Sequence, residues 1–387
     1  MKRSLLLSAI FLFIFAVSSR SLPAQILVDA TKTHCSTAQF TTIQSAVNAA
    51  SPGESIHVCP GTYPEQVTIT KSLVLRADNG VVVIPSGVSA NATDISSGES
   101  IAAIFFVQNA EVDLGGFIVD GSNNGILECS PRFIGILYQN ASGQVAHNAV
   151  RHIALPPFPN GCQSGNAIEV QTSSGLSSNV TIAENSVWDY QKNGITANDA
   201  GSEANIDGNV VTGFGPTTGA AENGIQIGFG ATGHVVGNTI ADNVYSPCVS
   251  PTNCPFNATG ILIFESNDVL VGNNSLATNQ VGIFIGGDNS TIGANWISNS
   301  VTLMGIALAG NGNLAARNML THADQAAIFI QGNSNSVGDN TITDASIGIL
   351  KISGSTGNAI AGNTFFADGV TIVDPAPSAD IHVQPSH

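Results

Sequence analysis

Nine asparagines occupy one position of a repeat, and this repeat limits the fold more than any other feature of the sequence. A small apolar residue lies three positions before each of them, and another apolar residue lies two positions after. The last four intervals between them are 21, 23, 22 and 23 residues. A unit of this length cannot bury a core alone, so each copy must stack on its neighbours. The nine residues are Asn148, Asn185, Asn209, Asn238, Asn274, Asn295, Asn318, Asn340 and Asn363.

Each repeat also contains a Gly-Ile pair followed by alternating residues, as in Gly224-Ile225-Gln226-Ile227. Because side chains alternate along a strand, we expect Ile225 and Ile227 to point inward and Gln226 to point outward. Two further short apolar runs flank each Asn. Stacked units of three strands predict an all-β parallel β-helix of about twelve triangular coils. The Gly-Ile position recurs at Gly135, Gly194, Gly224, Gly260, Gly282, Gly305 and Gly348, with Ala167 and Ala327 as substitutes.

The turn that holds each repeated Asn is expected to need a left-handed residue, and Asn tolerates that conformation better than most residues. The side-chain amide of Asn both donates and accepts hydrogen bonds. We therefore expect the nine asparagines to stack at one corner of the coils and to form a ladder inside the turns.

The N-terminal region predicts a cap for the first coil. Residues 42–50 have helical spacing of apolar residues, Thr41 or Thr42 can cap this helix, and Pro52-Gly53 ends it. The terminal coil of a stacked repeat needs such a cover.

The same region carries a resemblance to a known group of proteins. The segments Phe40–Val47, Pro52–Ile56 and Cys59–Tyr63, followed by Glu65, resemble the N-terminal region of right-handed parallel β-helix proteins of the pectin-lyase-like superfamily, which includes the periplasmic NosD-like proteins. With the Asn repeat, the resemblance covers roughly residues 35–366. It implies a right-handed coil. Because that superfamily includes lyases, hydrolases, epimerases and adhesins, it implies no single activity.

The expected organisation has four parts. Residues 1–24 have the positive start, apolar run and small residues of a secretory signal peptide, and this run is too short to span a membrane. Residues 25–55 form the N-terminal cap with the helix 42–50, residues 56–366 form the β-helix, and residues 367–387 form a C-terminal tail. An exported chain of this kind is expected outside the cytosol, in the extracellular space or the periplasm.

Six cysteines in an exported chain predict disulfides, and the sequence alone permits 15 pairings. Proximity in the proposed coil order favours Cys35–Cys59, Cys129–Cys162 and Cys248–Cys254. No CxxC motif occurs, which argues against a zinc ribbon or a thioredoxin-like site.

The charge of the chain excludes several partners. Without residues 1–24 the chain has 8 Lys and Arg against 27 Asp and Glu, a formal charge of −19. Such a surface repels nucleic acid and anionic membranes. The histidines lack the spacing of a transition-metal site, so no such site is predicted. Calcium suits the carboxylates and carbonyl-rich turns better, although no EF-hand motif occurs.

A ligand site is expected on the middle coils. In the superfamily that the chain resembles, sites usually lie on the face of the Gly-Ile strands. Three long loops precede such strands, at residues 155–165, 213–221 and 246–257, and could wall a groove. A solvated strand face without a ligand is the alternative. The candidate acids or bases are Glu169, Asp189, Asp199 and Glu222, the nearest cation for a substrate carboxylate is Lys192, and the candidate substrate-binding residues are Gln171, Tyr190, Thr196, Asn198 and Gln226.

Two classes of function remain open on this basis. The first is a secreted protein that binds a polysaccharide and cleaves it as a lyase or glycoside hydrolase. The second is a non-catalytic surface or adhesion protein. The motifs of polygalacturonases and pectate lyases are missing, which weakens the first class. An apolar stripe, which would be a self-association surface unless residues 366–387 cover it, is predicted at Leu262, Phe284, Ala307, Phe329 and Leu350.

Overall fold

A computed structural model describes residues 25–155, 161–246, 248, 256–300 and 303–376 of the chain. The predicted signal peptide therefore lies outside the described residues. Three long sheets of 13, 12 and 13 strands run along the molecule, here named sheets A, B and C. The chain visits them in turn, and strands of successive coils pair in parallel. This confirms the predicted parallel β-helix.

The strands of sheet A are Ile26–Val28, Ser55–Val58, Leu73–Ala77, Glu111–Gly115, Ser142–Ala146, Ser178–Ala183, Ser202–Asp207, Thr232–Val236, Leu270–Gly272, Thr291–Gly293, Leu314–Ala316, Ser336–Gly338 and Ala359–Ala361. Those of sheet B are Gly61–Tyr63, Val81–Val83, Ile118–Asp120, Ala149–Ile153, Ser186–Tyr190, Val210–Thr217, Thr239–Tyr245, Ser275–Ala277, Trp296–Ser300, Met319–Ala323, Thr341–Thr343 and Thr364–Phe366. Those of sheet C are Val67–Ile69, Ala92–Thr93, Ser100–Gln108, Arg132–Gln139, Asn166–Gln171, Asn193–Asn198, Asn223–Gly228, Thr259–Phe264, Val281–Ile285, Met304–Leu308, Ala326–Ile330, Ile347–Ile352 and Val370–Ala376.

The core consists of inward-facing aliphatic residues stacked from coil to coil. Ile195, Ile225 and Ile261 pair in register on sheet C and are fully buried. The glycine before each isoleucine lies where chains approach closely. A Cβ on Gly224 would lie 2.5 Å from the Ile240 Cγ2 and 2.6 Å from the Gly260 carbonyl oxygen. The Gly-Ile position therefore keeps glycine or alanine because larger side chains would separate the strands.

The nine repeated asparagines form the predicted ladder. The backbone N–H of Asn148 donates to the Asn185 Oδ1 at 3.0 Å, and the same bond recurs at every step to Asn363, at 2.8–3.0 Å. The expected cause was wrong in one respect. The left-handed residue is the one before each Asn, for example Glu184 with φ 54° and Arg317 with φ 57°. The Asn follows this corner because its amide satisfies buried backbone groups of neighbouring coils.

The capping helix spans Ile43–Ala49, with Thr42 as its N-cap. Its buried residues pack on the first coils. The Glu65 carboxylate accepts hydrogen bonds from the backbone N–H groups of Ile43 and Gln44, at 2.8 and 2.9 Å. A carboxylate at a helix N-terminus is stabilising, and this accounts for the presence of Glu65 in the resembling segment.

The β-helix extends beyond the range expected from the sequence at both ends. Ile26–Val28 pairs in parallel with Ser55–Val58, so the first coil begins before the capping helix. At the other end, Val370–Ala376 pairs in parallel with Ile347–Ile352 and continues sheet C. Residues 377–387 of the expected tail lie outside the described residues.

Two of the predicted disulfides are confirmed, Cys35–Cys59 and Cys129–Cys162. In the third predicted pair, Cys248 is disulfide-bonded, whereas Cys254 lies outside the described residues. None of the helices in the described parts of the chain has the length and apolar character that crossing a membrane requires.

The predicted apolar stripe on sheet C is buried. Its five residues are at most 3% exposed and form a cluster with side chains that include Cys248, Leu303 and Met304. The stripe therefore presents no open surface in this structure, because residues of neighbouring loops pack against it.

Candidate functional site

A pocket of about 340 Å³ lies on the outer face of sheet C at the middle coils. It spans four successive strands, from Arg132–Gln139 to Asn223–Gly228. Its lining is formed by Asp94, Ser96, Ser97, Glu99, Arg132, Gln163, Asn166, Gln171, Lys192, Asn193, Asn198, Gln226 and Phe229.

One wall of the pocket is an excursion of the chain that precedes strand Ser100–Gln108. Strand Ala92–Thr93 turns back and pairs antiparallel with Ser100–Gln108. The Gln139 side chain donates to the Thr93 carbonyl at 2.8 Å, and the Asn91 amide bonds the backbone of Ala103 in both directions at 2.9 and 3.0 Å. The excursion therefore covers the outward side chains of sheet C, which the sequence pattern alone would leave in solvent.

Asp94 organises this wall. Its Oδ1 accepts hydrogen bonds from the backbone N–H groups of Ser96 and Ser97 at 3.0 and 2.8 Å, and its Oδ2 accepts from Gln171 at 2.6 Å and from Arg132. Burial alone would raise the pKa of Asp94, but the Ser97 hydrogen bond and the Arg132 charge outweigh it and lower the pKa. Asp94 is thus an ionised anchor at neutral pH.

Glu169 lies beneath the pocket and shares the same cation. Both of its oxygens lie 3.4 Å from the Arg132 guanidinium, and they accept from Asn166 and Gln171 at 2.6 Å each. Glu169 is fully buried and Asp94 is 5% exposed. Because Gln171 Nε2 lies 2.6 Å from an oxygen of each, these two carboxylate oxygens are no more than about 5 Å apart. Arg132 neutralises part of this paired charge.

The outward side chains of the next two strands continue this polar floor. Thr196 lies between Glu169 and Gln226 in the register, and all three are buried. Gln226 donates to the Asn198 Oδ1 at 3.0 Å. Two buried oxygens of the floor, Asn166 Oδ1 and Thr196 Oγ1, have no hydrogen-bond partner within the protein. A buried acceptor without a partner is costly, so these atoms favour a donor from a ligand or from water.

Asp199 follows the strand Asn193–Asn198 in a left-handed conformation, with φ 75°. The Ser96 hydroxyl of the wall donates to its Oδ1, while its buried Oδ2 has no partner within the protein. Burial, together with the negative charges of Asp94 and Glu169, raises the pKa of Asp199 although the Ser96 hydrogen bond opposes this. This carboxyl therefore holds a proton to higher pH than an exposed aspartate does.

Lys192 and Glu222 form a second buried pair at the opposite edge of the same strands. The Lys192 Nζ donates to the Ala221 carbonyl at 3.1 Å, and burial with the Arg132 charge lowers its pKa to about 7. Glu222 accepts from the Phe214 N–H at 3.1 Å, and burial raises its pKa well above the usual value. Lys192 lines the pocket, whereas Glu222 lies behind it. Lys192 and Asp199 are seven residues apart along extended chain, roughly 20 Å, so they cannot act on one bond together.

Two predicted site residues lie elsewhere. Tyr190 is fully buried in the core and donates to the Asn243 Oδ1 at 2.5 Å. Asp189 is half-buried on sheet B, where its carboxylate lies 3.3 Å from His152. Neither lines the pocket, because Asp189 has a left-handed backbone, with φ 55°, and this corner breaks the alternation of the strand and turns the Tyr190 side chain into the core.

The long loops expected to wall the groove do meet on one side of the molecule. Gly161 and Gly219 are joined by a backbone hydrogen bond of 3.4 Å. Described residues of all three loops line a smaller pocket of about 120 Å³, which includes Phe256. Gln163 lines both pockets, so the first loop borders the main pocket as well.

Several pocket residues were not identified from the sequence. Asp94, Ser96 and Glu99 lie in a segment without strand periodicity, and the only local signal is the Asp-x-Ser-Ser pattern of a side-chain-capped turn. Arg132 begins a strand directly after the loop that contains Cys129. Phe229 follows a Gly-Ile strand and is 38% exposed, with its ring 5.5 Å from that of Phe264.

The chain is similar in fold to several proteins of known structure. The chain resembles the lacto-N-biosidase of family GH136 from Eubacterium ramulus, with 10% identity and a TM-score of 0.58, over 88% of this chain and 68% of that one. It resembles the Dettilon tailspike protein with 14% identity and a TM-score of 0.56, over 84% and 65%. These likenesses show the fold alone, and the chain has a right-handed parallel β-helix fold. This β-helix spans about two thirds of the length of those two proteins.

A third β-helix structure, XylC in complex with xylose, shows 10% identity and a TM-score of 0.54, over 89% of this chain and 86% of that one. Residues 248–380 match the model of a family described as periplasmic copper-binding protein (NosD). No curated protein matches the sequence.

Copper, which the name of that family implies, finds no fitting donor set in the described part of this β-helix. Over those residues, one group of three metal-binding side chains lies close together, namely His57, Cys59 and Asp78. The Cys59 sulfur is bonded to Cys35, and the group lies outside the matched segment. A disulfide sulfur is not the thiolate that a metal requires, so we derive no role for copper.

Proposed function

We propose that this β-helix protein binds a carbohydrate chain in the pocket walled by Asp94–Glu99. The observation that carries the proposal is the composition of the pocket. Five of its lining residues are Asn or Gln with side chains held by the strands, and an exposed aromatic ring lies at its edge. Planar amides that donate and accept, next to an aromatic face, suit the hydroxyl groups and apolar faces of sugars.

The size and rigidity of the site support the same proposal. A volume of about 340 Å³ lies at the lower end of the roughly 300–1,000 Å³ that small-ligand sites occupy. The side chains are fixed before a ligand arrives: Gln171 bonds Asp94 and Glu169, and Gln226 bonds Asn198. A fixed site loses little conformational entropy on binding.

A setting outside the cytosol, which is part of this proposal, is supported by the disulfides. Disulfides persist in oxidising compartments, and the sequence predicts a signal peptide before residue 25. We therefore place the protein in the extracellular space or the periplasm, where polysaccharides are accessible. Two of the similar structures are a lacto-N-biosidase and a xylose complex, and these names concern those proteins alone.

Hydrolysis of the bound chain is a second candidate function, and one observation favours it. The pKa of Asp199 is raised, and this carboxyl contacts Ser96 of the pocket wall, although Asp199 is not itself among the residues that line the pocket. Asp94 and Glu169 are occupied by hydrogen bonds, so neither is free to act as a base. Glu99, an exposed carboxylate that lines the pocket, is the candidate base.

The reaction would proceed as an acid–base hydrolysis. Asp199 gives its proton to the glycosidic oxygen as the bond from that oxygen to the anomeric carbon breaks. A water molecule attacks the anomeric carbon and gives a proton to the Glu99 carboxylate. The products are one fragment with a new reducing end and one fragment whose former glycosidic oxygen is a free hydroxyl group, and proton exchange with water restores both carboxyl groups.

Binding is tested with a panel of oligosaccharides by isothermal titration calorimetry. Phe229→Ala removes the aromatic face and should weaken binding by about tenfold or more. Phe214→Ala is the matched control, since Phe214 is also 38% exposed but does not line the pocket. Wild-type protein that binds none of the panel, or a Phe229→Ala variant with wild-type affinity, would contradict the proposal.

Hydrolysis is tested with the bound oligosaccharides by measuring new reducing ends and the absorbance of unsaturated products. Asp199→Asn and Glu99→Gln should each lower the rate by about a hundredfold or more while leaving binding intact. Binding without new ends identifies the non-catalytic alternative, an adhesion or surface protein. Unsaturated products would show a lyase and exclude the hydrolysis described here.

A further inference from the structure

The fixed charges around the pocket leave no cation for an acidic sugar. Among the described residues that line it, two are basic, Arg132 and Lys192. Arg132 already lies between Asp94 and Glu169, which it contacts through different nitrogens. The Lys192 Nζ donates to the Ala221 carbonyl, and its pKa of about 7 leaves it partly uncharged at neutral pH. With Glu99, three carboxylates oppose these two bases, so the local charge is negative or zero.

The unpaired hydrogen-bonding atoms on these strands also disfavour a carboxylate. The buried oxygens without a protein partner in this region are Asn166 Oδ1, Thr196 Oγ1 and Asp199 Oδ2. Of these residues, Asn166 lines the pocket, and its Oδ1 can only accept hydrogen bonds. Sugar hydroxyl groups supply donors, whereas a carboxylate brings only acceptors. A carboxylate placed here would therefore face the unpaired Asn166 acceptor and negative charge at once.

We propose that the pocket selects uncharged sugars and rejects uronic acids. This inference rests on the proposed carbohydrate binding and names the class of sugar at that same site. It differs from the role expected for Lys192 from the sequence, which was to neutralise a substrate carboxylate. It also accounts for a hydrolytic rather than an eliminative site, because β-elimination requires a carboxyl group beside the carbon that loses its proton.

The test compares each acidic oligosaccharide with its own carboxyl-reduced form, in which the carboxylate becomes a primary alcohol and the linkage is unchanged. Oligogalacturonate, oligomannuronate and oligoglucuronate are titrated with their reduced partners, alongside neutral xylo-, gluco- and N-acetylhexosamine oligosaccharides. For every backbone that binds, we expect the uncharged form to bind at least about tenfold more tightly. Glu99→Gln should reduce the ratio between the dissociation constants of the acidic and the reduced form, because it removes one carboxylate from the lining.

An acidic form that binds as tightly as its reduced partner, or more tightly, overturns the selection while leaving the carbohydrate proposal in place. If Glu99→Gln and Asp94→Asn both leave the ratio of dissociation constants unchanged, the pocket carboxylates do not cause the selection. That result overturns the explanation by charge repulsion. Failure of every neutral and acidic oligosaccharide to bind contradicts carbohydrate binding itself and the selection with it.

Discussion

Replacing Asn295 by alanine should destabilise the protein far more than the loss of one polar side chain from a surface. Asn295 is 1% exposed and occupies the middle of the Asn ladder. Its Oδ1 accepts from the backbone and side-chain nitrogens of Asn274, at 3.0 and 2.9 Å. Its Nδ2 donates to the Val271 carbonyl and the Asn318 Oδ1, at 3.0 Å each. Alanine removes all of these bonds and supplies no replacement.

The magnitude follows from the groups that lose their partner. The Asn274 backbone N–H loses its acceptor, and the Asn274 Nδ2 keeps its bond to the Val235 carbonyl but loses the acceptor of its other hydrogen. Two buried N–H groups are therefore left unpaired, and each costs about 1–3 kcal/mol. The loss of the Val271 and Asn318 bonds adds to this, so we expect a decrease of about 4 kcal/mol in the free energy of unfolding. Alanine leaves a small cavity that water cannot fill easily, because Asn274 and Asn318 are themselves at most 2% exposed.

Asn311→Ala is the matched control. Asn311 belongs to a parallel row of side chains that is exposed, where its Oδ1 accepts from the backbone and side-chain nitrogens of Asn333 at 2.9 and 3.2 Å. Water can replace those bonds, so the control should cost less than about 1 kcal/mol. Urea unfolding measures the two variants, and hydrogen exchange of the Asn274 amide reports the local loss, since coils of a solenoid can unfold separately. Equal destabilisation by both substitutions, or an Asn274 amide protected as in the wild type, would refute the reasoning.

Two further predictions concern close packing and charge. Gly224→Ala should lower the free energy of unfolding by about 1–3 kcal/mol, measured in urea, because the added Cβ would meet Ile240 and Gly260. Gly293→Ala is the control and should be tolerated, because its Cβ would lie 3.7 Å from its nearest neighbour. Equal losses of stability in both variants would contradict the packing argument. Burial raises the pKa of Asp120, but hydrogen bonds from Ser122, His152 and Arg151 outweigh it and lower the pKa to about 2. Its ionised form therefore stabilises the fold above the unfolded pKa near 3.9, and Asp120→Asn should cost about 2 kcal/mol at pH 7, a difference that fades as the pH falls to about 2. Asp207→Asn, at a half-exposed carboxylate paired with His234, is the control, and a loss for Asp120→Asn that does not depend on pH would rule out this linkage.

The fold could be predicted because its determinants repeat. In every coil, a buried asparagine at one corner bonds the backbone of the neighbouring coil, and a small residue before isoleucine allows the chains to approach closely. Because both constraints recur, a single sequence reveals them as repeats. The left-handed position was misassigned because it varies between Glu184, Gly208, Asn273 and Arg317, and no one residue type marks it. Its constraint acts on the backbone, while the asparagine that follows is constrained by buried hydrogen bonds.

The site could be predicted only in part, because it depends on a segment that does not repeat. The outward row containing Glu169, Thr196 and Gln226 was found from strand alternation. Alternation predicts solvent on that face, whereas the structure buries it beneath the wall from Asp94 to Glu99. The partner of Glu169 is an arginine 37 residues earlier, and sequence spacing gives no sign of such a pair. Tyr190, a candidate for stacking on a sugar or for packing, is a packing residue, because the left-handed Asp189 before it turns its side chain into the core.

The outward face of sheet C changes character at one coil, and this change explains where a ligand site can exist on such a regular scaffold. In register, Glu169, Thr196 and Gln226 are followed by Leu262 and Phe284. The apolar part packs against neighbouring loops and becomes an ordinary satellite core. The hydrogen-bonding groups of the polar part cannot all find partners within the sheet, because each outward side chain has only similar polar side chains on the strands above and below it. Its oxygens are paired where the Asp94 segment and Arg132 reach them, and beyond that reach the Asn166 Oδ1 beside the pocket and the Thr196 Oγ1 have no protein partner. The pocket therefore lies where the pairing of a buried polar row is incomplete, and under the proposed function the hydroxyl groups of a sugar would complete that pairing.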